Sequence, residues 1–77
     1  SKDTAKKAKE KLIKDWMRHH KGFVDTMGQY CLEIECKRSW GPDDKFDAKF
    51  VKQMLKDYDL ELDGFTAGDL LRVWRKY

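Results

Sequence analysis

Little in this chain would serve covalent catalysis. Its serines are Ser1 and Ser39 alone, and no nucleophile motif or glycine-rich phosphate loop accompanies them. Acids are plentiful, but a general acid–base pair needs a cleft that 77 helical residues rarely enclose. An enzyme is therefore not expected, and no cofactor or metal is implied. No apolar run approaches membrane-spanning length, so no membrane segment is expected. With two cysteines and no signal-like segment, an intracellular, reduced protein is expected, cytoplasmic or associated with nucleoid or nucleus. No internal repeat, low-complexity tract or linker divides the chain. Its 77 residues allow one domain.

What is present is charge and aromatic mass. Charged residues make up 40%, but the apolar residues are periodic, which argues against disorder. Three Trp, three Tyr and four Phe supply the large side chains that a small core needs. The net charge of +3 is mild, and its distribution says more. Residues 1–22 hold eight Lys or Arg against three acids, residues 43–69 eight acids against four Lys, and residues 70–77 three bases and no acid.

The periodicity predicts an all-α single domain, a small four-helix orthogonal bundle with helices near 4–20, 24–38, 47–58 and 67–76. In the first, Asp3 or Thr4 is the expected cap and Gly22 the expected stop. Ala5, Ala8, Leu12, Ile13, Trp16 and His20 form its apolar face, with Met17 at the edge. Residues 23–40 fit two templates. Tyr30, Leu32, Ile34 and Cys36 alternate as a strand would, while Phe23, Val24, Met27, Tyr30, Cys31 and Ile34 form one face of a helix. The helical template covers more residues, and a lone strand has no partner elsewhere, so the helix is favoured despite Gly28. Gly41-Pro42 is the expected end of that element.

The third helix is expected to start near Asp47. Phe50, Val51, Met54, Leu55 and Tyr58 form its apolar face, with Lys49, Lys52 and Lys56 together on the other side. The clearest local signal comes last. Thr66 and Asp69 form a capping box, and Phe65 and Leu70 the matching hydrophobic staple, so a helix starts at Ala67. On it Leu70, Val73, Trp74 and Tyr77 face in, Leu71 lies at the edge, and Arg72, Arg75 and Lys76 face out.

Several constellations carry chemistry. Lys7, Lys11, Lys14 and Arg18 fall on one stripe of the first helix, opposite its apolar face. With Arg72, Arg75 and Lys76 they are the expected phosphate contacts of a nucleic acid. An ordinary solvated helix face gives the same pattern. The acidic connector 57–63 opposes phosphate if it shares that surface. Asp59, Glu61, Asp63 and Gly64 match positions 1, 3, 5 and 6 of a calcium-binding EF-hand loop, but Leu70 stands where a bidentate Glu is needed. A turn rich in capping acids explains them better. His19, His20, Cys31 and Cys36 supply zinc-type ligands at a spacing that fits no known zinc pattern. A Cys31–Cys36 disulfide is not expected. On a strand the two face opposite sides, and on a helix they lie about 140° apart.

Residues 41–77 resemble a known family. Phe46, Phe50, Met54, Gly64, Thr66, Asp69 and Trp74 match the frame of an uncharacterised small helical domain that accompanies SAP motifs in some bacterial proteins. More loosely, the same half resembles the helix–extended loop–helix of SAP and LEM modules. The connector, Asp57 to Asp63, is longer and more acidic than the family's. A SAP motif carries Lys or Arg near the start of its second helix, where this chain has Gly68-Asp69. The resemblance implies company with DNA-binding modules and a helix over residues 25–40.

The expected function is a non-enzymatic nucleic-acid-binding or nucleic-acid-associated module making positioning contacts to phosphates, without base readout. The alternative is a protein-interaction adaptor in which Asp59, Glu61, Asp63 and exposed aromatics such as Trp40 dock a basic partner.

Overall fold

Ser1 opens the first helix, because the Thr4 amide donates to its Oγ at 3.3 Å. In the computed structural model, which describes residues 1–34 and 45–76, α1 then spans Lys2–His19. The cap expected at Asp3 or Thr4 is corrected to this earlier hydroxyl. The stop expected at Gly22 is corrected too. The break comes at His20, with φ −127° and ψ 46°, and α2 spans Lys21–Glu33 with Gly22 inside its first turn. The His20 side chain explains the position. Its Nδ1–H donates to the Trp16 carbonyl at 2.7 Å, and its ring stacks on Trp16 with centroids 4.1 Å apart. A last-turn carbonyl is thereby satisfied without a glycine.

The helical reading of the ambiguous stretch holds through Glu33, with Phe23, Met27 and Cys31 buried on one face. The helix ends there, short of the expected residue 38; residues 35–44, including Gly41-Pro42, lie outside the described residues. Cys31 is disulfide-bonded, which corrects the expectation of a reduced thiol. Both geometries that opposed a bridge, strand and helix, assumed one regular element running through residue 36, and α2 ends at Glu33. Cys36 itself lies outside the described residues.

α3 spans Ala48–Asp57 and is capped by Asp47, whose carboxylate accepts from the Phe50 amide at 2.9 Å. It ends in a Schellman motif. Asp59 takes the left-handed position at φ 55°, its amide donates to Lys56, and the Leu60 amide donates back to the Leu55 carbonyl at 2.8 Å. That closure turns Leu60 toward the end of α3. α4 spans Ala67–Trp74 and starts as predicted, with both hydrogen bonds of the Thr66–Asp69 capping box present at 3.1 Å.

The core forms where α3 and α4 meet and α1 and α2 close over them. Phe46, Ile13, Met27, Leu70 and Val51 are its fully enclosed side chains. The Phe46 ring lies 5.4 Å from Trp74 and 5.3 Å from Phe50, whose ring Tyr30 meets edge-on at 5.7 Å. Three of the predicted faces need correction, the first being that of α3, where Tyr58 at the C-cap is 49% exposed. Ala5 and Ala8 are exposed and Leu12 is 44% exposed. α1 has 18 residues and α4 eight, so at about 1.5 Å per residue α1 outruns its neighbour, and residues 2–9 are exposed although Lys6 and Lys9 still reach toward α4. Leu71, expected at an edge, is buried, and Arg75, expected to face out, is half-buried. α4 sits deeper than a helix with one apolar stripe would. Among the described residues there is no strand.

Candidate functional site

Lys7, Lys11, Lys14 and Arg18 are all exposed on α1. At about 100° per residue they share one stripe, about 130° around the helix from buried Ile13. Arg18 also holds Asp15 at 2.6 Å. Residues 2–9 are exposed throughout, so the N-terminal half of the stripe stands clear of the bundle.

The cations of α4 are placed differently. Arg72 lies 2.9 Å from Asp69, and Lys76 lies 3.4 Å from Glu10 of α1. Lys9 reaches Asp69 from α1 at 3.5 Å. Lys9–Asp69 and Lys76–Glu10 close the seam between α1 and α4, on a flank of α1 away from the stripe, while Arg72–Asp69 is a pair within α4. The two predicted basic sets therefore do not merge into one surface: Arg72 pairs within α4, and Lys76 ties the end of α4 to α1. Lys6 and Lys9 enter this seam, lining a crevice with Arg72 and Lys76. Sequence reasoning missed them, because nothing within α1 alone says which flank meets α4.

Asp69 organises that seam. Its carboxyl is held below the ordinary carboxylate value, first by the hydrogen bond from the Thr66 amide. Partial burial opposes the shift, while the Thr66 side chain and the charges of Lys9 and Arg72 add to it.

Asp59, Glu61 and Asp63 are exposed, while Leu60 and Leu62 between them are half-buried. The connector thus carries acids on one edge and leucines on the other, with Asp59 also serving as the left-handed residue of the α3 cap. Trp40, their expected companion, lies outside the described residues. His19 and His20 each donate Nδ1–H to a carbonyl four residues back, at 2.7 Å. Among the described residues no three His, Cys, Asp or Glu side chains are placed to hold a metal ion, and no helix is long and apolar enough to cross a membrane.

A further concavity went unpredicted. Between α3, the connector and the start of α4 lies a groove of about 830 Å³. Leu55, Leu60, Leu62 and Phe65 supply its apolar surface, and Lys49, Lys52 and Lys56 border it. The spacing of those lysines was legible; the groove beside them depends on Leu60 and Leu62 folding back. No family model, curated protein or solved structure matches the chain.

Proposed function

We propose that this domain is a non-enzymatic, nucleic-acid-associated module that lays α1 along a phosphate backbone. The observation that supports it is the exposed stripe of Lys7, Lys11, Lys14 and Arg18 on a helix whose residues 2–9 are exposed. The stripe covers 11 residues of rise, about 16 Å, enough to follow successive phosphates. Such contacts fix position and carry no sequence information, which fits a face without a base-reading constellation. Arg72 and Lys76 are engaged on carboxylates, Arg72 within α4 and Lys76 across to α1, and are not counted as phosphate contacts in this reading. The likeness of residues 41–77 to a domain that accompanies SAP motifs favours the same company.

Fluorescence titration of labelled duplex DNA at several salt concentrations tests the proposal. Four phosphate contacts give a slope of log K against log salt of about −3.6, or about a hundredfold loss of affinity between 50 and 200 mM. Lys7→Glu/Lys11→Glu should reduce the steepness by about 2. Affinity that is flat across this range defeats the reading.

The second reading, an adaptor for a basic partner, is favoured by the exposed edge of Asp59, Glu61 and Asp63. Under it, reversing those three charges abolishes capture of a cationic peptide while far-ultraviolet dichroism is unchanged.

A further inference from the structure

The groove beside α3 is independent of the α1 stripe, and its chemistry points elsewhere. Its apolar surface comes from Leu55, Leu60, Leu62 and Phe65, drawn from α3 and the connector that returns over it. Lys49, Lys52 and Lys56 stand along its border. None of the three makes an ion pair with a described residue, whereas the cations at the α1–α4 seam do. No carboxylate lines the groove among the described residues. The connector acids do not intrude, because their alternation with the half-buried leucines sends them to the outer edge.

We propose that this groove docks an acidic amphipathic helix of another protein, with leucine-like side chains on the apolar surface and carboxylates facing the three lysines. The lysine spacing of three and four residues selects this occupant. It repeats a cation once per helical turn along α3, matching a partner with a carboxylate once per turn. A single anionic head group would engage one or two of them and leave the rest idle. The rim steers the partner, and the leucine and phenylalanine surface holds it.

The test uses the whole chain, labelled with ¹⁵N, and a synthetic helix of about 14 residues with Leu on one face and Glu beside it. Saturable amide shifts confined to 48–68 are expected. Lys49→Glu/Lys52→Glu/Lys56→Glu should weaken binding by roughly tenfold or more, with a Lys-for-Glu peptide restoring it. Lys7→Glu/Lys11→Glu, which tests the α1 reading, should leave it unchanged. The proposal is overturned if a scrambled peptide of the same composition binds as tightly, which would show charge attraction alone. It is equally overturned if dodecanoate alone produces those shifts, which would make the occupant a small amphiphile, or if neither ligand moves them. The scrambled-peptide comparison stands even if the triple variant does not fold.

Discussion

The Trp16 indole Nε1–H donates to the Glu61 carbonyl at 3.2 Å, joining α1 to the connector across 45 residues of sequence. The same ring stacks on His20 and meets Phe23 and Phe65 edge-on at 5.7 and 6.3 Å. One side chain thus orders the α1–α2 corner and fixes the strip of backbone that carries Leu60 and Leu62 into the groove.

Trp16→Phe keeps an aromatic ring and removes the donor. A loss of about 1 kcal/mol is expected, the ordinary net worth of one hydrogen bond. Urea unfolding measures it. Amide exchange should accelerate most at residues 60–64. Uniform acceleration across the chain would show that the bond does not hold the connector in particular.

Asp69 ties acid stability to one carboxyl. Its folded-state value is lowered, chiefly by the Thr66 amide, so its contribution is complete above the unfolded-state carboxyl range. It is lost as pH falls through the folded-state value. Asp69→Asn should therefore cost about 1 kcal/mol at neutral pH, and wild type and variant should converge in acid. Paired urea titrations from neutral to acid pH check this. A constant difference over the whole range would remove the charge from the explanation.

Two backbone positions should respond oppositely to substitution. Asp59 sits at φ 55°, where a Cβ is costly, so Asp59→Gly should gain about 1 kcal/mol. Gly64 sits at φ 86°, and a Cβ there would stand 2.9 Å from Leu12 Cδ2. Gly64→Ala should lose about 1–2 kcal/mol, mainly from backbone strain, since exposed Leu12 can swing aside. Thermal melts of the two variants give the signs directly.

Local rules explain what was legible in advance. Thr66 and Asp69 are three residues apart, and the reach of a capping box needs nothing beyond the chain itself. Phe23, Met27 and Cys31 share a face by helical geometry, as do Val51, Met54 and Leu55. The exposed stripe of Lys7, Lys11, Lys14 and Arg18 followed from the same periodicity. The His20 break was harder to read, because a side chain closed the helix where a glycine was available two residues later. The end of α2 was missed because the apolar period continued past the backbone that carried it.

The sequence alone determined that these residues form helices, where the last one begins, and which cations line one side of α1, because each of those facts depends on neighbours within about one turn. Tertiary packing alone decided that Lys9, Glu10, Asp69, Arg72 and Lys76 share a seam. It also brought Leu60 and Leu62 back beside Lys49, Lys52 and Lys56 to form a groove. Both depend on which flanks of separate helices meet. Periodicity marks an apolar face but not its partner, and it is the partner that determines which charges are neutralised and which remain available to bind.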